Sequence, residues 1–477
     1  MVKELQKKLS ESKTARWAVL ALVSFTLLCA YYLTDVMAPL KSMLELSPAE
    51  GGLGWTSTEY GFFTSAYGWF NVFLLMLIFG GMLLDKMGVR FTGLTTIGIM
   101  LAGIALKYWA ISTDFGGETV TIFGATVGMQ IIWASIGFAI FGVGIEITAI
   151  TIQKIIVKWF KGKELALAMG LQMACARIGT GLALAGAPFI AKYFSFSSIS
   201  LPLLVGLLLM CVGLISFLVY IAMDRRFDAE TKYKETKEEP FRFRDIFDIV
   251  KIRGFWYIAF LCVLFYSAVF PFLKYAPDLM FNKFGMSREL AGLIPSLLPF
   301  GTILLTPLFG NLYDRKGRGA DIMMLGAIML VLIHFTFAVP FLNNWIIALL
   351  LTILLGIAFS LVPSAMWPSV PKIIPENKLG TAYSLIFWIQ NWGLMGVPLL
   401  IGWVLDKYCV TGSITTEQIV GVGEGQVVQT VAQTAYDYTL PMIIFACFGL
   451  LAVLFATLLR RENAKKNFGL QLPNIQK

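Results

Sequence analysis

Charge and histidine are what this sequence lacks. Asp, Glu, Lys and Arg make up 14% of its 477 residues and histidine occurs once, whereas an average soluble domain is about 25% charged. A large soluble enzyme is excluded. No HExxH, GxSxG or GxxxxGK(S/T) pattern is present, so zinc hydrolysis, serine-nucleophile and nucleotide-phosphate chemistry have no equipment, and no enzyme activity is expected. The six cysteines (Cys29, Cys175, Cys211, Cys262, Cys409, Cys447) show no CxxC spacing and fall mostly in apolar runs. They read as small apolar residues rather than a disulfide framework or metal site, and no cofactor is expected. The first apolar run lacks a small-residue cleavage site and is too long for a signal-peptide core, so it is expected to stay as the first helix.

What the sequence has is apolar length. Hydrophobic residues reach 57% and the mean hydropathy is +0.76. About 20 apolar residues cross the hydrocarbon core, and twelve runs qualify: about 17–40, 57–84, 91–110, 124–157, 164–193, 199–223, 254–278, 288–313, 320–341, 344–371, 379–406 and 437–460. The fold class expected is an all-α polytopic membrane protein, with the lipid bilayer as its main partner.

The net charge of +9 does not point to nucleic acid. If both termini lie on the inner face, all but eight of the 38 Lys and Arg lie there too; the exceptions are Lys41, Lys107, Arg177, Lys192, Lys274, Lys283, Arg288 and Lys407. That asymmetry is the positive-inside pattern, which orients the chain with cytoplasmic termini.

Composition shifts once, at the charged stretch 224–245 between spans six and seven. It divides the chain into an N-terminal six-helix bundle (1–223), an inner-face linker (224–253) and a C-terminal six-helix bundle with a short tail (254–477). The halves repeat. "GGMLLDKMGVR" (80–90) follows span two and "FGNLYDRKGRG" (309–319) follows span eight; "WFKGKEL" (159–165) and "IIPENKL" (373–379) each enter the fifth helix of a half. In the first pair, Gly81 and Gly310 are expected to let helices approach closely, and Gly88 to permit a turn. Asp85 and Asp314 can cap the next helix or pair with a neighbouring base; besides ordinary turn chemistry, Asp85, Arg90, Asp314 and Arg315 are candidates for a gating latch that forms in one conformation and breaks in another.

A duplicated G-x-L-x-D-(R/K)-x-G-x-R type loop in a twelve-span chain resembles the major facilitator superfamily. A narrower resemblance, to its lysosomal dipeptide transporter branch and the bacterial relatives of that branch, is carried by "KWFKGKELALAMGLQMACARIGTG" (158–181), "YSAVFPFL" (266–273) and "MWPSVPKIIPENKLGTAYSLIFWIQNWGL" (366–394). It runs over nearly the whole chain. It implies two pseudo-symmetric bundles of six transmembrane helices about a central cavity that rock to expose it alternately.

The sharpest signal from the residues is a depth coincidence. Glu146 lies 12 residues before Lys158, and Arg177 lies 13 residues after Glu164. At 1.5 Å per residue these are roughly 18 and 20 Å from the inner loop, near the midplane of a core of about 30 Å. Intramembrane charges usually face a cavity and mark a substrate or proton path. Three readings stay open: a substrate site, a gating or coupling pair, and a structural ion pair. A carboxylate and a planar guanidinium together suit a small zwitterion. In the family resembled, the equivalent Glu and Arg are associated with peptide termini, which implies a dipeptide as substrate.

Aligning Leu165 with Leu379 sets Asn391 opposite Arg177 and Ser360 opposite Glu146. The second half is thus expected to offer hydrogen bonds and shape through Tyr266, Trp367, Gln390 and Asn391. Asp35, matching an acid of the family's first helix, is a candidate for outer gating or proton coupling. Lys274 and Asp278 are expected to pair along one helix, Lys107 to snorkel outward and His334 to pack. Phe138 stands where many superfamily members carry an arginine associated with proton coupling. An organic-anion carrier centred on Arg177 is the alternative function. A monomer is expected, and short tails favour a bacterial inner membrane.

Overall fold

The structure is a computed structural model that describes residues 12–122, 125–160, 163–193, 198–231, 243–375, 378–420 and 427–473. Positions 161–162 and 376–377 of the repeated "WFKGKEL" and "IIPENKL" segments, and 232–242 of the expected linker, lie outside the described residues. The first half holds α1 (Lys13–Asp35), α2 (Lys41–Leu44), α3 (Ser57–Ser65), α4 (Trp69–Phe73), α5 (Met76–Ser112), α6 (Met129–Phe160), α7 (Leu165–Tyr193) and α8 (Leu201–Thr231). After α9 (Phe243–Val250), the second holds α10 (Arg253–Ser267), α11 (Phe270–Phe284), α12 (Leu293–Lys316), α13 (Gly319–Ala338), α14 (Trp345–Ile373), α15 (Leu379–Tyr408) and α16 (Thr439–Lys466). Two antiparallel hairpins complete the described structure: β1 (Thr119–Ile122) with β2 (Ala125–Gly128), and β3 (Val410–Val420) with β4 (Val427–Tyr436).

Among the described residues, eleven helical stretches are long and apolar enough to cross a membrane. The twelfth crossing is the expected span 57–84, which is broken rather than continuous. A capping box starts it: the Thr56 hydroxyl accepts from the Glu59 N–H at 3.1 Å, and Glu59 accepts from the Thr56 N–H at 2.9 Å. α3 and α4 then lead to Leu75 at φ 53°, a left-handed conformation that ends the run. The chain re-enters α5, which holds the rest of span two and all of span three. Between them Gly88, at φ 75° and ψ 171°, makes the expected turn.

Other boundaries differ for local reasons. Span seven divides between α10 and α11, where Pro271 at the start of α11 has no N–H to continue the ladder. Span four begins at Met129 rather than 124, because 125–128 are paired as β2. Gly81 and Gly310 do not mediate close helix contacts as expected: a Cβ at either would find nothing within 4 Å. The close approach is at Gly103 of α5 and Gly137 of α6, where a Cβ on each would lie 2.6 Å from the other's carbonyl oxygen.

The helices define two ends. α1 starts and α16 finishes at the terminal end; Asp35, Ala338 and Tyr408 lie at the distal end. The halves meet through α3 against α15 and α7 against α12, and the contact is closest distally. There Asp406 of α15 accepts from the Ser57 N–H (3.1 Å) and Thr58 N–H (2.5 Å) at the start of α3, acting as a helix cap supplied by the other half. The Tyr60 hydroxyl donates to the Lys274 carbonyl (2.9 Å), and the Ala432 N–H of β4 donates to Glu50 of the first half (3.4 Å).

At the terminal end each half is braced internally. Arg90 and Lys158 surround Asp224 at 2.7 and 2.9 Å and also meet Asp228. The equivalent loop of the second half is held by the tail after α16. The Arg318 and Gly319 N–H groups donate to the Gln471 and Leu470 carbonyls (3.0 and 2.8 Å), and Lys372 donates to the Leu472 carbonyl (3.0 Å).

Candidate functional site in the centre of the bundle

Glu146 sits mid-way along α6 and Arg177 mid-way along α7. Both are half-buried, although their helices are otherwise apolar at that depth. Among the described residues they form no ion pair with each other; each is held by aromatic groups instead. Glu146 Oε1 accepts from the Tyr67 hydroxyl at 2.7 Å. The Arg177 guanidinium crosses to the other half and lies 5.5 Å from the Phe270 ring centroid and 5.0 Å from that of Phe359. A guanidinium over two ring faces is stabilised by their quadrupoles while its N–H edges stay free. Tyr31 of α1 is within Coulombic range of both charges and of Asp35.

The second half contributes an aromatic wall. Tyr266 and Phe270 stack at 5.3 Å, and Phe359 meets both edge-on. Trp367 Nε1 donates to the Tyr266 hydroxyl at 3.1 Å, which joins these two sequence-predicted residues directly. Among the described residues, Gln390 and Asn391 hydrogen-bond to neither charge. Both are buried: Gln390 accepts from the Cys262 thiol at 3.5 Å, and Asn391 donates to the Phe387 carbonyl at 3.0 Å while its Oδ1 has no partner. Ser360 bonds to its own helix at the Gly356 carbonyl, 2.9 Å away.

Distally the site is roofed by reciprocal ion pairs between the halves. Asp35 binds Lys274 at 2.5 Å and accepts from the Thr180 hydroxyl at 2.7 Å. Lys41 binds Asp278 at 2.7 Å and Glu45 at 2.6 Å. The expected Lys274–Asp278 pair along one helix is therefore corrected. Each side chain meets an opposite charge from the first half, which removes more charge from the apolar interior than one local pair would.

A family model described as the Major Facilitator Superfamily matches residues 20–398 and 256–472. The chain belongs to the Major Facilitator Superfamily. It is 31% identical over 401 residues to the lysosomal dipeptide transporter MFSD1 of Mus musculus, covering 82% of this chain and 80% of that protein. With the Danio rerio protein of the same name it shares 32% over 351 residues, 71% of each. The fold matches the crystal structure of a bacterial homolog of the human lysosomal transporter Spinster, in an inward-facing and occupied conformation. The TM-score is 0.66 at 13% identity, covering 95% of this chain and 98% of that one. This is a transporter fold embedded in a membrane.

Within this superfamily frame, the loop after span two ties Asp85 to Lys154 at 3.0 Å and Arg90 to Asp224 at 2.7 Å, both inside the first half. Asp314 and Arg315 end α12, half-buried and exposed respectively. Lys107 does not snorkel. It is 0% exposed, its Nζ has no hydrogen-bond partner, and it lies 4.3 Å from the Phe138 centroid and 5.1 Å from that of Phe63. The Gly103–Gly137 approach brings α6 against the Lys107 backbone, which encloses the stem. A cation from α5 thus rests on the ring that stands in place of the arginine. His334 packs as expected, with Nε2 2.9 Å from the Ala268 carbonyl.

The sequence reading missed Tyr31, Tyr67, Phe270 and Phe359. Phe270 lay inside the quoted "YSAVFPFL". The others carry no signal in an apolar aromatic background, because their role depends on what faces them.

Proposed function

We propose that this transporter carries small zwitterionic peptides, dipeptides foremost, by alternating access, with the substrate's ammonium at Glu146 and its carboxylate at Arg177. The observation that carries this is the separation of the two charges. A structural ion pair would close on itself, whereas these two are held apart by Tyr67 and by the Phe270–Phe359 rings. An extended dipeptide spans up to ~7 Å, and its ends each require the opposite charge. The Tyr266–Trp367 wall tolerates varied side chains. The relatives' name as dipeptide transporters supports the same class. The closed distal end and the reciprocal pairs at Asp35 support alternation, since such pairs must part for the other end to open.

The basic terminal end supports cytoplasmic termini, so the closed distal end faces away from the cytoplasm. The membrane proposed is a bacterial inner membrane, which fractionation of the native membranes tests. Purified protein in proteoliposomes should take up labelled dipeptides, and Arg177→Ala should abolish uptake while folding persists. Undiminished transport by that variant overturns the site. Thermal stabilisation by dicarboxylates but not peptides would favour an organic-anion carrier instead, and chemical turnover without translocation would favour an enzyme.

A further inference from the structure

The distal roof holds more charge than its pairs balance. Lys41 is a single cation facing two acids, Glu45 and Asp278. The three side chains are 0%, 3% and 0% exposed. Glu45 Oε1 accepts from Lys41 at 2.6 Å and from the Ser57 hydroxyl at 2.7 Å, while Glu45 Oε2 is buried with no hydrogen-bond partner. Asp278 is fully engaged by Lys41, by Asn282 Nδ2 at 3.1 Å and by the Tyr438 hydroxyl.

Among the described residues no second cation bonds to the cluster. Tyr60 of α3, Tyr275 of α11 and Tyr436 of β4 place rings 5.9, 5.9 and 4.8 Å from Lys41 Nζ. Asp406 of α15, an acid, receives the Tyr436 hydroxyl at 3.2 Å and the α3 N–H groups. Lys274 is taken by Asp35. Arg288 is within Coulombic reach of Asp278 but bonds Gln433. Fully ionised, the buried cluster carries one uncompensated negative charge, which is costly where water is excluded.

We propose that Glu45 is a proton-binding site of the distal closure, taking up a proton from distal-side water as the halves close and returning it to the same side as they part. Burial pushes the Glu45 carboxyl up to about 7, Asp278 adding to the rise and Lys41 opposing it. In the open state, exposed to water, it regains an ordinary carboxylate pKa near 4.3. The closed state therefore binds more protons. Its advantage is fully present below the open-state value and is lost as pH rises through about 7. Because the proton returns to the side it came from, closure is pH-sensitive without net proton transport. The inference rests on the alternating-access reading.

The test uses the full chain in lipid nanodiscs, cysteine-free except for nitroxide labels at Asp114 and Phe341, two exposed distal positions on opposite halves. Lowering the pH from about 8 to about 6 should raise the short-distance population about fivefold. Glu45→Gln should show the low-pH distribution at both values. Asp278→Asn, which leaves Lys41 a single acid, should flatten the response as well and provides a second reading if the first variant folds poorly. A parent that does not respond to pH, or a Glu45→Gln variant that responds as the parent does, overturns the proposal. A shift with saturating alanyl-alanine but none with pH overturns the proton site alone. A pH shift with no dipeptide shift sustains the proton site and removes the peptide reading.

Discussion

Lys107 and Arg177 show what a cation can do in an apolar interior. Both lie on aromatic faces, but Arg177 keeps its donor edges open to the centre, while Lys107 is sealed with its ammonium unpartnered. An orphaned buried donor costs about 1–3 kcal/mol, more if charged, against a cation–π gain of about 2 kcal/mol when desolvated. Lys107→Met should therefore leave thermal stability unchanged or raise it by about 1 kcal/mol, measured by melting in detergent; a large loss would show that the ammonium is held by something stronger. For Arg177→Ala, losing charged hydrogen bonds of about 1.5–3 kcal/mol implies at least a tenfold loss of peptide affinity.

The charges at this scale were legible, because Glu146 and Arg177 stand alone in apolar runs and the helical rise fixes their depth. Their aromatic partners were not, since ring contacts depend on which faces the helices turn. Lys107 was misread for the same reason. Its fate was decided by Gly103 and Gly137, four and thirty positions away in the chain, not by its own neighbourhood.

Among the elements, the turn between spans two and three follows from Gly88, whose φ of 75° with ψ of 171° is a region almost confined to glycine. Gly88→Ala should cost about 1–3 kcal/mol. Gly81→Ala, in ordinary helix with nothing within 4 Å, should be neutral or slightly stabilising. Melting temperatures of the two variants in one detergent check the contrast, and equal losses would refute it. The spans themselves were readable from hydropathy because lipid leaves few alternatives to helix. The breaks at Leu75 and before Phe270 were not. A leucine gives no sign of a left-handed backbone, and prolines recur inside α12 and α14 without ending them. The β3–β4 hairpin had no apolar run to announce it.

Across the whole molecule, the arrangement depends on closure at one end. Asp406 reaches from the second half to cap α3 of the first, so Asp406→Asn replaces a charged acceptor with a neutral one across that boundary. Charge-assisted bonds are worth about 1.5–3 kcal/mol, so the distally closed population should fall about tenfold, read as increased maleimide labelling of a single cysteine introduced at Ser57. Unchanged labelling would mean that closure is carried by helix packing alone. The overall fold was legible from the apolar runs and the duplicated loop. The closure of the distal end was not, because it depends on contacts between residues far apart in the chain, such as Asp406 with Ser57 and Lys41 with Asp278.

The two repeated loops at the terminal end are braced by different forces. One is caged by Arg90, Lys158, Asp224 and Asp228, with Arg90 and Asp228 side chains 33% and 26% exposed; the other is tied mainly by hydrogen bonds to backbone carbonyls of the chain's own tail, with the Arg460–Asp321 ion pair at 3.0 Å beside it. Mobile ions weaken the first kind of brace and barely touch the second. Ionic strength thus acts on the halves unequally, and a rise in salt loosens the caged joint more than the one held to the tail.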